Sequence, residues 1–251
     1  MNLRSVTYNP GFPLNQFIDL VWVSSSDTLE MSSTHHAALF TELIFNYGEQ
    51  FQMTGENIEN SVAKNCHYIV SGLKTSPFKT EVSGRHLNVG LFLKPHCYGL
   101  LREGLSGRKM GELSDLIYQE LIDAKKPSFA KIEIPLFEFF KGLTIDDDLQ
   151  KFSSLLTQLE KRGALKKFSD TLSITQKSFI QKFKRHYAIT PGEFLKLNRV
   201  NHAAQLIANT QAISLTQVGM MSGFYDQSHF IKTFKRHFGQ TPRQFKNTIT
   251  S

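Results

Sequence analysis

Over the first hundred residues apolar side chains recur at every second position. Leu43, Phe45 and Tyr47 alternate with polar neighbours, and so do Leu87, Val89, Leu91 and Leu93. Such alternation turns one face of an extended strand to a core and the other to solvent. Tyr47-Gly48, Thr54-Gly55 and Ser83-Gly84 punctuate these runs and predict turns. Residues 1–110 therefore read as an antiparallel barrel or sandwich. The period then changes. Over 112–123, Leu113, Leu116, Ile117 and Leu121 share one helical face, and Ile132 to Phe140 is a second, unusually apolar helical stretch. These helices either pack on the β-rich part or join two copies of the chain. Asp146-Asp147-Asp148 marks a boundary and caps a helix through Leu149, Phe152, Leu155, Leu156 and Leu159. The pattern divides the chain into residues 1–145 and 146–251.

The second part contains a repeat. Phe183-Lys184-Arg185-His186-Tyr187 returns as Phe234-Lys235-Arg236-His237-Phe238, offset by 51 residues. At the same offset Gln176 matches Gln227, Phe179 matches Phe230, Ile180 matches Ile231, Thr190-Pro191 matches Thr241-Pro242, and Phe194 matches Phe245. One supersecondary unit is used twice. Thr175 and Asp226 are placed to cap the two matching helices. Phe179, Phe183 and Tyr187, spaced four apart, must face a core. A short helix and turn precede each cap: Leu165, Phe168 and Leu172, then Ser173-Ile174, in the first copy; Leu215 and Val218, then Ser222-Gly223-Phe224, in the second. Helix, short turn and helix, over about 163–187 and 214–238, is the outline of a helix-turn-helix. Pro191 opens a long helix through Phe194, Leu197, Val200, Ala204, Leu206 and Ile207 that joins the copies.

Charge sharpens this picture. The chain of 251 residues carries a net +7. Residues 1–150 hold 13 Lys and Arg against 18 Asp and Glu, a net −5, and residues 151–251 hold 16 against 4, a net +12. So polarised a chain points to a polyanionic partner for its second part. On a helical wheel Lys177, Gln181, Lys184 and Arg185 share one face with Ile180 at its border. Ser228, Lys232, Lys235 and Arg236 share the matching face with Ile231 at its border. Gln can read adenine, Lys guanine, and an exposed Ile a thymine methyl. Arg185, Arg236 and the helix N-termini, with Thr175, Ser178 and Gln227, suit phosphates.

The string from Gly223-Phe224-Tyr225-Asp226-Gln227-Ser228-His229-Phe230 through Phe238-Gly239-Gln240-Thr241-Pro242 closely resembles the AraC/XylS family of transcription regulators. Phe183-Lys184, Thr190-Pro191 and Leu195 to Arg199 extend the resemblance over about 150–251. It implies two helix-turn-helix units entering successive major grooves of double-stranded DNA, with reading positions at Lys177, Ile180 and Gln181 and at Ser228, His229 and Lys232. It also implies activation through RNA polymerase. Three residues depart from the pattern. Gln181 stands where Arg is frequent. Gly219 replaces a small Ala, at about 1 kcal/mol to its helix. Phe168 stands where Ala is usual, so the first unit must pack differently. Gly72 to Pro95 more weakly resembles the cupin-like regulatory domains of a branch of that family, so the expected fold is α+β: a β-rich cupin-like barrel with flanking helices, then an all-α domain. Binding a small effector and forming a homodimer are the two roles expected of the first part.

Other chemistries find little support. No apolar run is long enough to cross a membrane, and Met1 to Ser5 lack a signal-peptide pattern, so a cytoplasmic location is expected. Cys66 and Cys97 are too few for a disulfide framework. His35-His36, Cys66-His67, His86 and His96-Cys97 lack the order of a metal-binding cupin, so no metal or other cofactor is expected. Gly104 to Gly107 lacks the Lys and spacing of a phosphate loop. No framed nucleophile is present, and the chain does not read as an enzyme. Two rivals stay open: a metal-dependent cupin-type enzyme fused to a DNA-binding domain, and a non-specific architectural DNA binder.

Overall fold

The computed structural model describes residues 3–49, 51–55, 68–104, 107–142, 146–149, 164–171, 174–210 and 213–250. A β-rich region precedes a helical one. Six antiparallel strands form one sheet: β1 (Arg4–Tyr8), β2 (Ile18–His35), β3 (Thr41–Asn46), β4 (Gln52–Gly55), β5 (Tyr68–Ser71) and β6 (Phe78–Leu93). Their order is β1-β2-β6-β3-β5, and β4 pairs with the first half of β6. The long β2 and β6 strands pair along nearly their whole length. Between the pairs Ser26–His86 and Leu29–Gly84, two residues of β2 oppose one of β6, which is a β-bulge. Gly84 sits there at φ +101°, a backbone open to glycine and strained for other residues. The Ser83-Gly84 dipeptide therefore does not end a strand as its composition predicts: it bends one.

The two faces of the sheet are used differently. Val21, Leu43, Phe45, Val89, Leu91 and Leu93 point into a buried core. Helices α1 (Cys97–Gly104), α2 (Gly107–Ile117, continued by a π-turn Tyr118–Ile122) and α3 (Ala130–Phe140) cover that face. Leu113, Ile117 and Leu121 bury the stripe expected of them, and Leu116 lies half-exposed beside it. The helix begins five residues earlier than its apolar pattern indicates. The opposite face carries Trp22, Ile44, Asn88 and Phe92 and lines a cavity. Asp146 Oδ1 accepts from the backbone N–H groups of Asp148 and Leu149. The remainder of the helix expected after it, together with Cys66-His67, Leu172-Ser173 and Leu105-Ser106, lies outside the described residues.

The second region is built of α4 (Ala164–Thr171), α5 (Gln176–Tyr187), α6 (Pro191–Asn209), α7 (Leu215–Met221), α8 (Gln227–Phe238) and α9 (Pro242–Thr250). Most starts have a visible chemical cause. Thr175 Oγ1 accepts from Ser178 N at 3.1 Å, and Asp226 Oδ1 from His229 N at 2.7 Å. Thr190 with Glu193, and Ser214 with Gln217, form reciprocal capping boxes. Thr241 and Gln244 exchange the same pair of bonds at the start of α9. Phe179, Phe183 and Tyr187 of α5 pack with Leu149, Phe168 and Phe194 in one core. Phe230, Phe234 and Phe238 of α8 pack with Leu197, Val200, Ala203, Ile207 and Val218 in another. The long α6 contributes to both.

Candidate nucleic-acid interface

Each helix pair turns its aromatic stripe inward and its basic stripe outward. Phe179, Phe183, Tyr187, Phe230 and Phe234 are at most 1% exposed. On the opposite side of α5, Thr175, Lys177, Ser178, Gln181, Lys184 and Arg185 are exposed, and Ile180 is half-buried. On α8, Gln227, Ser228, His229, Ile231, Lys232, Lys235 and Arg236 are all exposed. The 51-residue register thus sets Ile180, Lys184 and Arg185 against Ile231, Lys235 and Arg236 on matching faces, while Lys177, Ser178 and Gln181 correspond to the different side chains Ser228, His229 and Lys232. Local chemistry makes each face: the cap fixes where the helix starts, and the i, i+4, i+8 aromatic spacing fixes which side is buried. Four N–H groups at each helix start lack an intrahelical acceptor, so the exposed N-termini of α5 and α8 offer donors and a positive dipole end to an anion.

One basic residue belongs elsewhere. Lys182 pairs with Asp146 at 2.8 Å and Asp148 at 2.7 Å. Burial opposes these contacts, yet the net effect holds the Asp146 carboxyl below its usual range and raises the Lys182 ammonium. The acidic triplet is thus a tether for α5.

The two pairs differ at the seam between their helices. Gly219 lies under the Phe230 ring, where an added Cβ would come within 3.0 Å of Cδ1. At the matching position of the first pair, Phe168 packs its ring against Phe179 with centroids 5.2 Å apart. The expected difference in packing is met by a second ring.

The C-terminal ends of both outward helices rest on the sheet region. Gly99 of α1 abuts α5 so closely that a Cβ would lie 2.1 Å from the Arg185 carbonyl oxygen. Ala37 N donates to His237 O at 3.1 Å, and His237 Nδ1 meets Thr75 O at 2.6 Å. A carbonyl only accepts, so Nδ1 carries the proton. His36 stacks on Phe238 with centroids 5.3 Å apart. Burial lowers the pKa of both His36 and His237, with backbone hydrogen bonds opposing it. The repeated His of the Phe-Lys-Arg-His string is thus a docking residue in the second copy. Sequence reading missed this, although a repeated His on the border of an aromatic stripe was the available signal.

The histidines and cysteine considered as metal ligands are dispersed. His35 Nε2 meets Thr80 Oγ1 at 2.8 Å, and His86 Nε2 meets Ser24 Oγ at 3.0 Å. His96 is half-buried, and its pKa falls to about 4, mainly through desolvation. Cys97 Sγ donates to Phe17 O at 3.6 Å, and burial pushes its thiol up. Among the described residues, no three His, Cys, Asp or Glu side chains gather where they could hold a metal. Among those same residues, no helix is long and apolar enough to cross a membrane.

On the sheet's other face lies a cavity of about 650 Å³. Trp22, Phe40, Ile44 and Phe92 make much of its wall, and Lys74, Glu42 and Asn88 supply polar groups. His36, Ala37 and Ala38 line the same cavity, and His36 and Ala37 also touch α8, so one short segment borders both.

Two family profiles match the two regions separately. Residues 168–248 match a family profile described as a helix-turn-helix domain. Residues 6–115 match one described as a domain of unknown function. The transcriptional activator RhaR of an Enterobacter species is 27% identical over 156 residues, covering 62% of this chain and 54% of that protein. The activator AggR of Escherichia coli is 29% identical over 133 residues, covering 53% of this chain and 47% of AggR. These matches span about half the length of each relative. Among solved structures, ToxT from Vibrio cholerae aligns over 100% of both chains at 12% identity with a TM-score of 0.47. The helical region is a helix-turn-helix domain of the AraC/XylS type.

Proposed function

We propose, on the premise that residues 168–248 are an AraC/XylS-type helix-turn-helix domain, that the chain is a sequence-specific DNA-binding transcription regulator. In this reading α4–α5 and α7–α8 are two helix-turn-helix units, α5 and α8 each enter a major groove, and residues 1–145 form a cupin-like domain that binds a small effector. The observation that carries the proposal is the exposed basic stripe on α5 and α8, repeated in register opposite a buried aromatic stripe. A chance solvated face needs neither the duplication nor the near absence of acidic neighbours.

Roles follow from position. Lys177, Ile180 and Gln181 on α5 and Ser228, His229, Ile231 and Lys232 on α8 lie in the first two turns, the part of a recognition helix that meets base edges. Lys184, Arg185, Lys235 and Arg236 lie farther along and hold phosphates, as do the helix N-termini with Thr175, Ser178 and Gln227. The relatives' names, transcriptional activators in RhaR and AggR, favour activation by contact with RNA polymerase. The cavity supports effector control, because its wall at His36 and Ala37 also holds α8. Pairing of two chains through the α2–α3 surface, and a location in the cytoplasm, belong to the same reading.

Selection of bound duplexes from a random pool tests it. A sequence-specific regulator enriches an asymmetric site with two unlike halves, and affinity falls steeply with salt because each neutralised phosphate releases about 0.9 counterion. An architectural binder shows the salt slope without enrichment. A cupin-type enzyme retains stoichiometric metal, which elemental analysis of the purified chain detects.

A further inference from the structure

The cavity on the sheet's open face is electrically closed. Among the described residues its one ammonium group, Lys74, is 8% exposed and sits 3.0 Å from the Glu42 carboxylate. The same Nζ donates to Ser71 Oγ at 2.7 Å and to Gly72 O at 3.1 Å. An ammonium has three hydrogens, and three acceptors take them. The three histidines on the wall, His35, His36 and His86, have pKa values lowered by burial and are neutral at pH 7. The lining therefore balances its own charge. A charged ligand group entering it would lose water without meeting a free counter-ion, which is strongly unfavourable.

The uncommitted groups are neutral. Asn88 is 4% exposed, and its Nδ2 is engaged with His86 Nδ1 at 3.3 Å. Among the described residues its Oδ1 has no partner, and neither does Trp22 Nε1. Trp22 pairs across the strands with Gly90, and Asn88 with Ser24, so Trp22 and Asn88 are diagonal neighbours on one face. The first supplies a donor and the second an acceptor. Around them the wall is apolar and aromatic: Trp22, Phe40, Ile44 and Phe92. The volume suits a single small molecule.

We infer that the cavity binds an uncharged amphiphile, an apolar body with an amide-like head whose carbonyl accepts from Trp22 Nε1 and whose N–H donates to Asn88 Oδ1. This rests on the reading of the sheet region as the effector-binding part of a DNA-binding regulator. Lys74 and Glu42 serve as a structural pair that anchors the loop after β5 to β3 and do not contact the ligand.

The chain's single tryptophan is Trp22 itself, so its fluorescence reports occupancy directly. Full-length protein at pH 7.5 is titrated with decanamide, decanoate and decylammonium, which share one apolar body. The amide is expected to shift Trp22 emission saturably, with each charged probe at least about tenfold weaker. Asn88→Asp, which places a carboxylate at the head group, is expected to reverse the order in favour of decylammonium. Tightest binding of decanoate would overturn the inference, because Lys74 would then be a ligand contact. So would absence of any saturable response, or an unchanged order in a folded Asn88→Asp protein. Affinity of the same samples for the selected DNA site is read in parallel. Failure of DNA binding alone overturns the regulator, and failure of head-group selectivity alone overturns this inference.

Discussion

The two helix pairs solve one packing problem in opposite ways. In the second, α7 presents Gly219 and the Phe230 ring closes onto bare backbone. In the first, Phe168 stands at that position and two rings share the seam. Leu39 and Leu73 of the sheet region pack against both cores, and the remaining supports differ. The first is tied to preceding chain, through Lys182 with Asp146 and Asp148 and through Leu149 in its core. The second core is made largely within 197–238 and meets the sheet region through Ala37. A duplicated unit has thus kept the basic pairs Lys184-Arg185 and Lys235-Arg236 of its outward faces while its first-turn side chains and its supports diverged. That pattern is expected when the faces share one kind of partner and each support answers to different neighbours.

If both faces read DNA, the joint between them sets the site. Helix α6 has 19 residues, roughly 28 Å at about 1.5 Å per residue. Successive major-groove faces lie about 34 Å apart. The two pairs should therefore read unlike half-sites about 10 base pairs apart in direct order. Inserting about five base pairs between the half-sites should reduce specific binding by roughly 10³-fold, to the level of random duplex. A full-turn insertion should not restore it, because a helix does not stretch. Undiminished binding to the five-base-pair insert, in a gel-shift or anisotropy titration, would show that one pair reads alone.

Side-chain truncation resolves the same comparison at finer scale. Gln181→Ala should relax discrimination in one half-site and Lys232→Ala in the other, each by about 1–3 kcal/mol at a few positions. Arg185→Ala should weaken all duplexes alike. Binding to a panel of single-base variants distinguishes these outcomes. A sequence preference altered by Arg185→Ala and untouched by Gln181→Ala would reverse the assignment of faces.

Much of the helical region was legible because its determinants are local. The caps Thr175 and Asp226 and the helix-opening Pro191 lie within a few residues of what they fix, and aromatic spacing of four declares the buried side. The sheet region was legible only in its alternation. Gly84 looks like a turn glycine, and only the pairing of β6 with β2 makes it the hinge of a bulge. The cavity depends on that same register, since Trp22 and Asn88 lie 66 positions apart in sequence and meet through cross-strand pairing. The repeated His237 marked a border position, but its partner was unreadable because Thr75 lies 162 residues away.

Support for the first pair can be cut without touching its outward side chains. Gly99→Ala places a methyl group where the Arg185 carbonyl now sits, and overpacking of this kind costs about 1–3 kcal/mol. Hydrogen exchange should accelerate in residues 97–104 and 176–187 and stay unchanged in 227–238. Equal loss of protection in both helices would mean that the two pairs share one support.

The smallest expected effect concerns the ends of α5 and α8, where the comparison is closest. Ala188 and Gly239 occupy matching positions, and each donates its N–H back to the helix, to Lys184 O at 2.9 Å and Lys235 O at 2.8 Å. Both adopt the left-handed conformation, at φ +60° and φ +74°. Glycine takes that conformation without penalty, whereas a Cβ there costs about 1–2 kcal/mol. Glycine also loses about 0.5–1 kcal/mol more than alanine on ordering the chain. The difference leaves Ala188→Gly stabilising by about 0.5–1 kcal/mol, read as a higher denaturant midpoint at unchanged slope. Gly239→Ala reverses the same terms and adds one, because its Cβ would lie 3.2 Å from the Pro77 side chain. It should therefore cost more than Ala188→Gly gains, and the excess measures how firmly the second pair is pressed against the sheet region. Equal and opposite changes would show that this contact yields freely, leaving the joint to His36, Ala37, Leu39, Leu73 and His237.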